Sequence, residues 1–111
     1  MVKQGDIIKI NFSPQSGHEQ AGSRPAVVIS NNFFNMKAKL AIVCPVSTKD
    51  KNFPLHVRLD ERTVTTGVVL CDHVKSLDIN SRSYVFIETM PKDILENVIN
   101  KVFAEIETQE E

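Results

Sequence analysis

The stretch Pro91-Lys92-Asp93-Ile94-Leu95-Glu96-Asn97-Val98-Ile99-Asn100-Lys101-Val102-Phe103-Ala104-Glu105-Ile106 decides the architecture. Ile94, Leu95, Val98, Ile99, Val102, Phe103 and Ile106 recur at helical spacing and draw one apolar stripe. Pro91 suits the first helical position, after Thr89 or Met90. Asp93 and Glu96 suit the positive end of the helix dipole. The spacing predicts a single C-terminal helix from Pro91 to about Ile106. Its stripe packs on the core, and part of it is also suited to a dimer contact.

Upstream of this helix the apolar runs have strand length. Asp6 to Phe12 alternates imperfectly and is stopped by Ser13-Pro14-Gln15-Ser16-Gly17. Pro25 to Ile29 and Leu40 to Val46 read as buried strands, with Pro25 at a tolerated first position. Asn31 to Asn35 holds a helical turn capped by Ser30 or Asn31. Leu55 to Leu59 alternates cleanly, which sends His56 and Arg58 away from the core. Gly67 to Leu77 is the longest strand candidate; its polar and apolar faces do not sort cleanly, as a bulge would produce. Tyr84 to Glu88 is the last strand. Short strands followed by a helix predict a mostly β chain (α+β), a small curled antiparallel barrel with a C-terminal helix.

A chain of 111 residues carries one modest core, so a single domain over 1–111 is expected. Charged residues at 24% and hydrophobic residues at 41% exclude disorder and coiled coil, and no apolar run is long enough for a membrane helix. The N-terminus lacks the apolar segment of a secretory signal. Net charge is −1, yet four of the 14 acidic residues fall in 105–111. The body before them holds 13 basic against 10 acidic residues, enough for a local phosphate-binding groove beside an acidic tail that is expected to fray. Cys44 and Cys71 lie in apolar surroundings and outside any C-x-x-C, as reduced core thiols of a cytoplasmic protein do.

Three segments concentrate reactive groups. Gly17-His18-Glu19-Gln20-Ala21-Gly22-Ser23-Arg24-Pro25 packs an imidazole, a carboxylate, an amide and a guanidinium into one loop. Pro25 holds Arg24 extended at a strand entrance, where a guanidinium fork can meet a phosphate. Pro45-Val46-Ser47-Thr48-Lys49 puts two hydroxyls and an ammonium at a strand end. Cys71-Asp72-His73-Val74-Lys75-Ser76 adds a carboxylate and further donors. Composition alone leaves each of these an ordinary solvated loop or strand. The metal, phosphate and nucleophile-elbow motifs are missing, so phosphoryl chemistry without a metal is the natural enzymatic reading.

Taken together and in order, these segments resemble the MazF/PemK (Kid) family of toxin endoribonucleases. The resemblance rests on the E-Q-x-G-x-R-P block at 19–25, on P-V-S-T at 45–48 and on G-V-V-L-C-D-H-V-K-S at 67–76. It implies an SH3-like, CcdB/PemK-type barrel, a two-fold homodimer and a cytoplasmic enzyme that cuts single-stranded mRNA. A cognate MazE-like antitoxin would wrap the dimer and cover the RNA groove. The implied reaction is attack of a ribose 2′-hydroxyl on its neighbouring phosphate, leaving a 2′,3′-cyclic phosphate and a 5′-hydroxyl, with no metal or other cofactor. Arg24 matches the family's catalytic arginine and Thr48 its catalytic threonine. His18 and Glu19 are the base candidates. In the Kid branch the acidic residue matching Asp72 works beside an arginine two positions earlier; here that position is Leu70, which favours the pairing of Arg24 with Thr48. Glu19, Gln20, Ser47, Lys49, Phe53, Asp72 and Lys75 are the residues expected to contact RNA, with Phe53 as a stacking ring. Gyrase-poisoning toxins of the CcdB type share this architecture but carry a functional tryptophan near the C-terminus, and this chain has no Trp. An inactive module that binds RNA or antitoxin is the remaining alternative, against which the presence of both Arg24 and Thr48 speaks.

Overall fold

The computed structural model describes residues 1–12 and 23–110. Seven strands form one antiparallel sheet: β1 (Asp6–Asn11), β2 (Ser23–Val28), β3 (Ala41–Ser47), β4 (His56–Arg58), β5 (Val68–Leu70), β6 (Lys75–Leu77) and β7 (Tyr84–Thr89). Two helices complete the fold, α1 (Asn32–Ala38) and α2 (Lys92–Ile106). The strand order is β4-β5-β3-β2-β1-β7, with β6 also pairing β3. The sheet is not closed, because β4 and β7 end the order instead of pairing with each other. The expected mostly β architecture with a C-terminal helix is what the chain adopts, as an open sheet instead of a sealed barrel.

Strand alternation gives this sheet two cores. One face carries Ile7, Val27, Cys44, Val46, Val57 and Val69, and α2 covers it with Ile94 and Val98. The other carries Ile8, Ile10, Ala26, Val28, Val43 and Leu77. Burying a side chain the size of Ile94 or Val98 stabilises by about 2 kcal/mol, so the helical stripe is chiefly a packing device. Pro91 is the N-cap of α2, one position earlier than the sequence suggests; its carbonyl accepts from Leu95 N at 3.0 Å. Asn31 is the cap of α1, its side chain accepting from Phe34 N, and α1 runs beyond the single turn expected.

The longest strand candidate is broken. A 3-10 turn at Cys71–His73 separates β5 from β6, and both flank β3. Val46 lies opposite Val69, but Val43 lies opposite Lys75 where an unbroken strand would place Asp72. The turn therefore inserts a three-residue register shift, and it is the physical form of the mixed polarity read in this segment.

Cys44 and Cys71 are free, buried thiols of one core cluster. A hydrogen bond to Cys71, and then burial, push the Cys44 thiol far above its ordinary range, so it is a packing group and not a nucleophile.

Glu88 on β7 secures the segment that leads into β5. Its carboxylate accepts from Val64 N at 3.0 Å, Thr65 N at 2.8 Å and Thr65 Oγ1 at 2.7 Å. Burial pushes this carboxyl up, and the hydrogen bonds from Thr65 and Val64 outweigh it, so it ends below its usual value. A depressed carboxyl contributes stability that is present above the unfolded-state value and lost as pH falls through the folded one. Glu88→Gln is therefore expected to lower the unfolding midpoint at neutral pH. The gap to the parent should close as pH is taken below the ordinary carboxylate range, in parallel urea titrations. A gap independent of pH would contradict the assignment.

Candidate nucleic-acid-cleaving site

Arg24 sits on β2 opposite Ile10 of β1 and on the face of Ala26 and Val28. The β2–β3 register sets Ala26 against Pro45. The ladder ends there, two residues short of Arg24 on β2 and of Ser47 on β3, with Thr48 next along the chain and exposed. Arg24 and Ser47 thus lie beyond the same end of this ladder. Arg24 makes no ion pair with a described residue. Arg24 is half-buried, and its five donors and its charge have no partner among the described residues, which is the chemistry an anionic ligand needs.

The Ser47–Thr48 corner is held from behind by Gly67. Its φ is +118°, and a Cβ built there would lie 2.1 Å from Ser47 O and 3.2 Å from Thr48 Cα. Only glycine permits both this backbone shape and this approach. Ser47 Oγ accepts from Lys49 N at 3.1 Å, which shapes the turn and leaves the hydroxyl proton to donate. Lys49 is exposed beside it. Lys75 leaves β6 on the same face as Leu77, and its ammonium lies 5.2 Å from the centre of the Phe12 ring. Arg24, Ser47 and Lys75 therefore share one face of the sheet.

Asp72 and Phe53 belong to a different grouping. Asp72 stands in the 3-10 turn and accepts from His56 Nε2 at 3.0 Å, with His73 Nε2 at 3.7 Å from its second oxygen. The Phe53 ring meets the His56 ring edge-on at 5.1 Å. The His56 side chain is only 8% exposed, contrary to the solvent-facing position that alternation implies. The alternation itself is right, since Val57 enters the core. What covers the other face is Phe53 and the 3-10 turn, contributed from elsewhere in the chain. Burial, then the nearby Asp72 charge, pushes the Glu105 carboxyl upward. Glu105 belongs to the last turns of α2, and its Oε1 is buried without a hydrogen-bond partner among the described residues.

His18, Glu19 and Gln20 lie outside the described residues. Sequence reasoning did not single out His56 for the site, nor Asn97 and Lys101 of α2. Asp72 of the Cys71-Asp72-His73 run is the partner of His56, and no local pattern ties the two together across 16 residues. Among the described residues no group of three metal-ligating side chains comes together.

The family model of PemK-like, MazF-like toxins of type II toxin–antitoxin systems matches residues 3–105. Endoribonuclease PemK of Escherichia coli is 33% identical over 106 residues, spanning 91% of this chain and 79% of that protein. Endoribonuclease toxin MazF of Escherichia coli K12 is 36% identical over 98 residues, spanning 88% and 87%. The crystal structure of a MazE–MazF complex from Deinococcus radiodurans contains a chain 38% identical to this one, with a TM-score of 0.85 over 95% of both chains. The motifs at the sheet end, the fold that assembles them and these similarities agree: the chain belongs to the PemK-like, MazF-like toxin family of type II toxin–antitoxin systems.

Proposed function

We propose that this chain is a sequence-specific, metal-independent endoribonuclease toxin that cuts single-stranded mRNA and so blocks translation. The observation that carries the reading is that Arg24, without an ion pair to any described residue, lies beyond the same end of the β2–β3 ladder as Ser47 and Thr48. In the proposed reaction the ribose 2′-hydroxyl attacks the adjacent phosphorus. The P–O5′ bond breaks and the departing 5′-oxygen takes a proton from water, giving a 2′,3′-cyclic phosphate and a 5′-hydroxyl. Negative charge accumulates on the phosphoryl oxygens, and a fixed guanidinium stabilises it without reorganisation. Thr48 donates its hydroxyl to a phosphoryl oxygen. His18 or Glu19 takes the 2′ proton. Arg24 supplies the positive charge that a metal supplies in other nucleases, so a metal is not required by this chemistry.

The reading includes a homodimer and a MazE-like antitoxin. Exposed Phe103 and Ile106 on α2 continue an apolar surface with Ile29, Ile42 and Ile99, which supports self-association. The relatives in the Deinococcus radiodurans complex support an antitoxin partner. No helix is long and apolar enough to cross a membrane among the described residues, in keeping with the proposed cytoplasmic site of action.

The test is incubation of the purified chain with a long mixed-sequence RNA in EDTA, followed by sequencing of the new 5′ ends. Discrete cuts bearing 5′-hydroxyls are expected at one short sequence. Intact RNA in EDTA with cleavage restored by a divalent ion would overturn metal independence. Intact RNA under both conditions would overturn the nuclease reading and make DNA gyrase the next target.

A further inference from the structure

The loop from Asp50 to Arg58 and the helix α2 enclose a cleft lined by Phe53, His56, Asn97 and Lys101, with Asp50 and Arg58 at its rim. It begins two residues after Thr48. Its walls are fixed in advance. Arg58 donates through Nε to Asp50 and through Nη2 to Asn52 Oδ1 at 3.0 Å. Asn52 N donates to Asp50 Oδ1 at 2.8 Å, and Asn52 adopts φ +56°. His56 N donates to Phe53 O at 3.0 Å, and the two rings pack edge to face. Phe53 is thus held rigidly, yet 43% of it stays exposed.

The unspent groups in this cleft are specific. Arg58 neutralises Asp50, and the hydrogen bond between them holds the Asp50 carboxyl below its usual range. Lys101 has no ion-pair partner among the described residues, including Glu105 one turn along α2, so its ammonium is uncommitted among them. Asn97 lies one turn before Lys101 on the same helix face and makes no side-chain hydrogen bond with a described residue. A carboxylate only accepts, so His56 Nε2 donates to Asp72; His56 Nδ1 is buried and has no partner among the described residues. A flat ring, a free amide, an unfilled imidazole nitrogen and a lone ammonium match one chemical unit, a nucleotide of single-stranded RNA. Its base would lie on Phe53, its polar edge would meet Asn97, and its phosphate would meet Lys101.

We infer that this cleft is an accessory nucleotide subsite, separate from the Arg24–Thr48 centre, in which α2 holds a nucleotide flanking the cut. The inference rests on the RNA-cleaving reading above. The two are separable by measuring binding and cleavage side by side. The probe is a short fluorescent 2′-O-methyl RNA of mixed sequence, which offers no nucleophile. Its affinity for the full-length chain is read by anisotropy over a range of salt concentrations.

Lys101→Gln is expected to weaken binding by about fivefold and to reduce the steepness of the log–log salt dependence by about 0.7, the loss of one phosphate contact. Phe53→Leu is expected to weaken it about tenfold with the salt dependence unchanged, as loss of stacking does. Thermal unfolding of each variant shows that it is folded. Lys101→Gln decides the matter by itself if Phe53→Leu fails to fold. A wild-type chain that cleaves RNA, with a Lys101→Gln variant matching it in affinity and salt dependence, overturns the subsite and leaves the nuclease reading intact. A wild-type chain that neither binds the probe nor cleaves RNA overturns both.

Discussion

Arg24→Ala is expected to lower kcat/KM for RNA cleavage by about 10³-fold, a loss of about 4 kcal/mol of transition-state stabilisation. The size follows from where the charge forms. The attacked phosphate gains negative charge as the 2′-oxygen bonds to phosphorus, so a guanidinium beside it is worth more in the transition state than in the ground state. The variant should fold normally, because Arg24 makes no ion pair with a described residue and its neighbours Ala26, Val27 and Val28 are the residues packed in the cores. Arg24→Lys should recover only a small part of the rate, since an ammonium keeps the charge but loses the planar fork. Single-turnover cleavage of an RNA carrying the mapped site measures all three proteins. Retention of more than a tenth of the parent rate in Arg24→Ala would remove Arg24 from the chemistry.

Gly67→Ala is expected to be more damaging than Gly5→Ala, the other glycine with a positive φ among the described residues. The added methyl would stand 2.1 Å from Ser47 O and 2.9 Å from Ser47 C, both backbone atoms that have no rotamer to change. At φ +118° the alanine also carries backbone strain of about 1–3 kcal/mol. Gly67 O accepts from Leu59 N at 2.9 Å, so moving Gly67 away pulls on β4 as well. A stability loss of about 3 kcal/mol would lower Tm by about 10 °C in a domain of this size. Because the collision is with Ser47 and Thr48, cleavage should fall further than unfolding explains, even well below the new Tm.

Gly5→Ala is the control for that experiment. It also has positive φ, at +93°, but its nearest neighbour is the Leu95 Cδ2 methyl at 3.3 Å, which can yield. It should lose stability without a selective loss of cleavage. Equal ratios of activity to folded fraction in the two variants would show that Gly67 has no special hold on the Thr48 corner. Circular dichroism melts and cleavage assays at one low temperature supply both numbers.

The sequence by itself determined most of the elements and the family. The period of Ile94, Val98 and Val102 prescribes the C-terminal helix, and Asn31 announces α1 through its capping side chain. These are local properties, written within a few residues and enforced by backbone geometry. The E-Q-x-G-x-R-P and P-V-S-T blocks marked Arg24 and Thr48 for the same reason, since each motif is contiguous. The tertiary structure alone decided which of these groups have partners. It broke the 67–77 segment at Cys71–His73, because β3 is flanked there by two strands in different registers. It buried His56 against an Asp72 that lies 16 residues away. It set Gly67 against Ser47, and it brought Asn97 and Lys101 of α2 to the Phe53 loop. Such pairings depend on how the sheet curls and where α2 docks. Those are outcomes of burying both apolar faces at once, and no local pattern records them.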